Sequence, residues 1–135
     1  MKNLNFLFIA LCMALIGCNN DDSSTKEEEM QNLTNMYNEI IDASMANSTP
    51  CTNASEWSFT AIGSKACGGP TGFIPYSLKI NTAGFLKKVE DYTNKQAAYN
   101  EKWKIMSTCE AAQQPSGVDC AAGKPILVYT NPSQY

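Results

Sequence analysis

Histidine and arginine are both absent from this chain of 135 residues. Without histidine the usual general base at neutral pH is missing, and so is the commonest metal ligand. Without arginine, and with thirteen acidic residues against ten lysines, the chain lacks the basic surface that neutralises phosphates, which argues against nucleic acid as a partner. The same balance offers no electrostatic attachment to an anionic membrane. Long apolar runs are scarce too: the first seventeen residues, MKNLNFLFIALCMALIG, hold the one clear example. That run is short of the roughly 20 apolar residues a spanning helix needs. With Lys2 ahead of it, the run reads as a secretory signal peptide.

The leader ends in Leu15-Ile16-Gly17-Cys18, which resembles the lipobox of bacterial lipoproteins, where the cysteine is acylated and becomes the mature N-terminus. An ordinary signal peptide cut nearby is the alternative. Gly17 before Cys18, and Asn19-Asn20-Asp21-Asp22 behind it, favour lipidation at Cys18. The mature chain then has 118 residues and a formal charge of −4, from nine lysines and thirteen acids. Its membrane partner is reached through the N-terminal acyl chains, each buried methylene contributing about 0.8 kcal/mol. Residues 18–28 are polar and charged and are expected to be a flexible tether. Asp21-Asp22 resembles the acid-rich signal that sends lipoproteins to the outer face of some outer membranes, and Asn19 resembles lipoproteins that leave the inner membrane. A spacer without a sorting role is the alternative. The expected location is the outer membrane, lipid-anchored and surface-exposed, or otherwise on the periplasmic face.

Cys12 leaves with the leader and Cys18 takes the lipid, so Cys51, Cys67, Cys109 and Cys120 remain. An even number in a small exported chain reads as a disulfide framework. A zinc site would want C-x-x-C spacing, whereas the gaps are sixteen, forty-two and eleven. Of the three possible pairings, Cys67 with Cys109 and Cys51 with Cys120 is preferred. Those ties join the central glycine-rich turn to the end of a long helix, and a helix–strand junction to the last strand.

The domain proper is expected over residues 29–130, with a frayed tail at 131–135. From Lys26 to about Ala46, apolar residues at Met30, Leu33, Tyr37, Ile40 and Ile41, with Ser44, share one helical face. Glu27, Glu28 and Glu29 suit its positive end. Residues 55–62 alternate as a half-buried strand, with Trp57, Phe59 and Ala61 on the buried side. Gly63 ends it, and Cys67-Gly68-Gly69-Pro70 forms a turn. The stretch from Gly72 to Ile80 alternates again, with Ile74, Tyr76 and Leu78 on one side and Phe73 and Pro75 on the other. Pro75, lacking an N–H, places this strand at a sheet edge. Asn81 or Thr82 then caps a second, long helix carrying Phe85, Val89, Tyr92, Tyr99, Trp103 and Met106, with Gln96 in the seam. Residues 110–124 read as loop, and Ile126 to Tyr129 as a short final strand. The fold class is α+β: a small antiparallel sheet of about three strands on one long helix, plus an N-terminal helix, stapled by disulfides.

No catalytic constellation stands out. A serine–lysine dyad would have to come from Ser64-Lys65 or Ser77-Lys79, whose side chains point apart. Glu56, Glu90 and Asp91 have no spacing that singles them out as an acid–base pair. Gly68-Gly69 lacks the lysine and following helix of a phosphate loop. No catalytic residue, metal site or cofactor is therefore assigned. The candidate binding residues are Gly68, Gly69, Pro70, Phe73 and Pro75, because a rigid loop offering glycine, proline and an aromatic loses little entropy on binding.

Several blocks in order carry a resemblance: Gly63-Ser64-Lys65, Cys67-Gly68-Gly69-Pro70, Tyr76-Ser77, then Tyr99-Asn100-Glu101, Ser107-Thr108-Cys109 and Cys120. Across residues 33–130 they resemble a family of small bacterial lipoproteins and secreted proteins marked by G-x-K-x-C-G-G-P, Y-x-x-Y-S and a helix ending in S-D-C. Phe73 stands at the first tyrosine of that pattern and Thr108 at the aspartate. An extra cysteine pair of some members, near Trp57 and after Gly123, is absent. The resemblance implies architecture and export, and assigns no activity. The expected function is a non-enzymatic binding or structural module of the cell surface, with a protein or envelope polymer as partner. The alternative is an inhibitor of a secreted hydrolase presenting the 68–75 loop.

Overall fold

The computed structural model describes residues 24–130. The expected signal peptide, the expected lipidation site Cys18, most of the expected tether and the 131–135 tail lie outside the described residues. Helix α1 spans Lys26–Ala43, so the last three residues assigned to the tether belong to it. A capping box starts α1: Thr25 Oγ1 accepts from Glu28 N at 3.2 Å, and Thr25 N donates to Glu28 Oε2 at 2.8 Å. A single 3₁₀ turn, Ala54–Glu56, leads into strands β1 (Trp57–Ile62) and β2 (Gly72–Ser77), an antiparallel hairpin. Helix α2 spans Thr82–Lys102 and is capped by Asn81, whose side chain accepts from Gly84 N. Strands β3 (Gly117–Ala121) and β4 (Lys124–Val128) form a second antiparallel hairpin.

The class is α+β, as expected, but the details differ. Four strands form two separate two-stranded sheets rather than one sheet of three. The helices are of similar length, 18 and 21 residues. Helix α2 stops at Lys102, three residues after Tyr99, because Lys104 turns to φ +50°; Met106, expected on its stripe, is 93% exposed. Strand β3 occupies part of the expected loop.

α1 and α2 pack antiparallel. Glu29, at the start of α1, meets Lys102 and Trp103 at the end of α2. Further along, Tyr37 lies 5.9 Å from Tyr92 between ring centroids, and Glu39 faces Lys88. The core lies between these helices and the β1–β2 hairpin. It contains Leu33 and Ile40 of α1, Phe85, Val89, Tyr92 and Tyr99 of α2, and Ile62, Ile74 and Tyr76 of the hairpin. The register pairs Ser58 with Tyr76 and Thr60 with Ile74. Ser58, Thr60 and Ile62 therefore share the face toward the helices, while Trp57, buried as expected at 6%, the half-buried Phe59 and the exposed Ala61 lie on the opposite face. Paired residues share a face, so Phe59 lies with Phe73 and Pro75 on the other side. Ser44 and Ser77, both buried, join α1 to the hairpin, with Ser77 N donating to Ser44 O at 3.0 Å.

The β3–β4 hairpin touches β1 and β2 and is tied back by the Cys51–Cys120 disulfide, with a Cα–Cα distance of 5.4 Å. Cys51 N also donates to Gly123 O at 2.9 Å. One of the two preferred cross-links is thus formed. Cys67 and Cys109 are free, exposed thiols.

Candidate functional site

The loop at 63–71 joins β1 to β2, and its neck admits no side chain. Gly63 takes φ +77°, and a Cβ there would lie 2.2 Å from Thr71 Oγ1 and 2.5 Å from Gln96 Oε1. Thr71 closes the neck by donating from N and Oγ1 to Ile62 O, at 3.0 and 2.8 Å. Beneath the loop, three polar side chains of α2 grip its backbone. Thr93 Oγ1 accepts from Gly63 N at 3.1 Å, Gln96 Oε1 accepts from Ser64 N at 2.7 Å, and Asn100 Nδ2 donates to Ser64 O at 2.8 Å. Their spacing of three and four places all three on one helical face.

The tip is a turn in which Lys65 N donates to Gly69 O and Gly68 N to Lys65 O. Gly68 and Gly69 take φ +95° and +79°, with open space where a Cβ would stand. The irregular chain after α2 runs beside it. Ala66 N donates to Ser107 Oγ at 3.0 Å, and Lys65 Nζ donates to Glu110 O. Cys67 Sγ lies 3.7 Å from Ser107 Oγ and 3.6 Å from Thr108 O, which places it beside Cys109. The neighbouring Cys109, then Ser107 and the Lys65 ammonium, hold the Cys67 thiol below its ordinary range; Cys67 in turn pushes Cys109 up.

The five candidate binding residues fall into two groups. Gly68 and Gly69 are exposed at the tip, with Pro70 half-buried behind them. Phe73 and Pro75 sit on β2, half-buried, with Phe73 edge-on to Phe59 at 6.1 Å. Thr93 and Asn100, which hold the loop, were not among the expected site residues. Gln96 breaks the apolar stripe there, but the spacing of Thr93 and Asn100 does not show which segment they meet.

The residues weighed for catalysis have other partners. Lys65 reaches Glu110 O, and Lys79 Nζ pairs with Glu56 at 2.5 Å. Ser77 is buried, with its Oγ accepting from Lys79 N. Glu90 and Asp91 both pair with Lys87 on the exposed face of α2. Among the described residues no cluster of three metal-ligating side chains occurs, and no helix is long and apolar enough to cross a membrane.

Elsewhere, a groove of about 390 Å³ between the helices is lined by Met30, Tyr37, Tyr92, Gln96 and Tyr99. Burial there, with Tyr37 nearby, pushes the Tyr92 phenol up. The Tyr99 hydroxyl is buried without a partner.

Compared with family models, with curated proteins and with solved structures, the chain matches none.

Proposed function

We infer that this is an outer-membrane lipoprotein of the cell surface whose domain acts as a non-enzymatic binding or structural module. The leader and the Leu15-Ile16-Gly17-Cys18 motif support the anchor. The observation that carries the binding role is the 63–71 loop. Its backbone is fixed by Thr93, Gln96 and Asn100, while Gly68 and Gly69 stay exposed. A loop already held in one shape gives up little entropy when a partner docks, and the two tip glycines leave its backbone open to close approach. The partner is a protein or polymer of the envelope.

The inhibitor reading rests on the same rigid tip. It no longer draws on Phe73 as a presented aromatic, because that ring leans on Phe59.

Two measurements test the proposal. In cells making the full chain, wild-type protein should sediment with outer membrane and be digested by protease added to intact cells, whereas Cys18→Ala should be soluble. Wild-type protein should also be retained on isolated envelope, and Gly68→Asp with Gly69→Asp should lose retention while still unfolding cooperatively, at a stability cost from the two positive-φ positions. Equal retention of both proteins would remove the loop from the function. A Cys18→Ala protein that still sediments with outer membrane would remove the lipid anchor.

A further inference from the structure

The two cysteine pairs differ in every respect that governs thiol chemistry. Cys51 is 3% exposed and bonded to Cys120. Cys67 and Cys109 are both solvent-exposed and unbonded, and Cys67 Sγ lies 3.6 Å from the carbonyl oxygen of Thr108, the residue before Cys109. One sits at the tip of a glycine-rich turn, between residues in ordinary backbone and two glycines at positive φ. The other lies on irregular chain beyond α2. Neither is held inside a helix or strand, so the backbone at both can adjust to disulfide geometry. The polar bonds of Ala66 and Lys65 to Ser107 and Glu110 keep the two segments side by side meanwhile.

We propose that Cys67 and Cys109 form a thiol–disulfide exchange site, at which the loop tip is reversibly cross-linked to the chain after α2 by reaction with a low-molecular-mass disulfide.

Cys67 is the thiol that reacts first, and Cys109 resolves. The Cys67 thiolate attacks one sulfur of the small disulfide RSSR. The Cys67–SR bond forms, the S–S bond of RSSR breaks, and RS⁻ leaves and takes up a proton. Cys109, giving its proton to solvent, then attacks Cys67 Sγ and expels the second RS⁻, which is protonated in turn. The net change is protein dithiol plus RSSR to protein disulfide plus two RSH. Two electrons pass from the protein to the small disulfide, and the reverse reaction reopens the pair. The assignment of roles follows the environments. The Lys65 ammonium lies near both thiols, but only Cys67 has a hydroxyl, Ser107 Oγ at 3.7 Å, to stabilise its thiolate, and the thiolate is the attacking species.

The test uses the full chain equilibrated in graded ratios of reduced to oxidised glutathione, quenched with an alkylating reagent and mapped by peptide mass. Cys67 and Cys109 should lose alkylation together, and a peptide linking them should appear as the ratio becomes oxidising and vanish when it is reversed. Cys51 and Cys120 should remain linked throughout. In Cys109→Ser, one glutathione should accumulate on Cys67. In Cys67→Ser, the adduct on Cys109 should form at least about tenfold more slowly. Alkylation of Cys67 and Cys109 independently of each other at every ratio would overturn the proposal. So would a link between them as resistant to reduction as the Cys51–Cys120 bond, and so would equal adduct rates in the two variants. None of these outcomes depends on whether the loop binds envelope.

Discussion

The β1–β2 hairpin lays Ile62, Ile74 and Tyr76 against both helices. The β3–β4 hairpin, by contrast, fully buries only Pro125 of its ten strand residues and leaves Ile126 and Val128 about two-fifths exposed. The first is held by apolar burial, roughly 25 cal/mol for each Å² removed from water. The second has little such area to offer and is held by Cys51–Cys120 and the bond from Cys51 N to Gly123 O. In a small domain a covalent tie can stand in for missing core. The two hairpins should therefore fail in different ways.

The largest expected effect comes from the core. Phe85 is 3% exposed and packs on Tyr76 with ring centroids 4.9 Å apart. Phe85→Ala should cost about 3–5 kcal/mol, measured by denaturant unfolding, with β1–β2 losing its protection from hydrogen exchange. Replacing both Cys51 and Cys120 by serine comes next, at about 2–4 kcal/mol. Here the loss of protection should be concentrated in β3–β4. Equal loss in both hairpins would mean that the disulfide supports the core as a whole. Gly63→Ala should cost about 1–3 kcal/mol, since it adds a strained φ to the contacts with Thr71 and Gln96. Its damage should appear in the 63–71 loop before either hairpin opens.

Two smaller changes sharpen the helix side of the comparison. Hydrogen bonds from Lys102, then from Ser24 and Trp103, lower the Glu29 carboxyl from 4.5 to about 2. A depressed folded value favours the folded state above the unfolded value, and that contribution is lost as pH falls through about 2. Unfolding measured against pH should show wild type and Glu29→Gln diverging above about 4.5 and converging near 2. Tyr99→Phe should change stability by no more than about 1 kcal/mol, because the hydroxyl it removes has no partner to lose. A clear loss on thermal melting would reveal a bond to that hydroxyl in solution.

The contrast between the hairpins also explains what could be read from the sequence. Leu33, Ile40, Phe85, Val89, Tyr92 and Tyr99 announced both helices because helical spacing and burial coincide there. Strand β3, GVDCA, carries no alternating apolar face because it packs on little. Ala122 and Gly123 fell within the stretch read as loop, and nothing in it showed that both take positive φ and close a hairpin. In β1 the alternation separated the two faces and had Trp57 buried, but it did not show which face meets the helices. Trp57 and Phe59 outweigh Ser58 and Thr60 in any hydropathy pattern, yet the register to Ile74 and Tyr76 decides the face. At the loop, Gly63 and the tip glycines were legible as a turn. The grip of Thr93 and Asn100 was not, because it depends on which side of α2 the loop falls.

The Cys51–Cys120 link spans 69 residues, and the loop, its tip and the whole of α2 lie inside that span. Exposed, glycine-rich tips are where proteases cut first. A single cut at Gly68 or Gly69 therefore divides the chain into two pieces that remain one molecule. A domain of this design can be nicked at its most accessible point and still shed nothing.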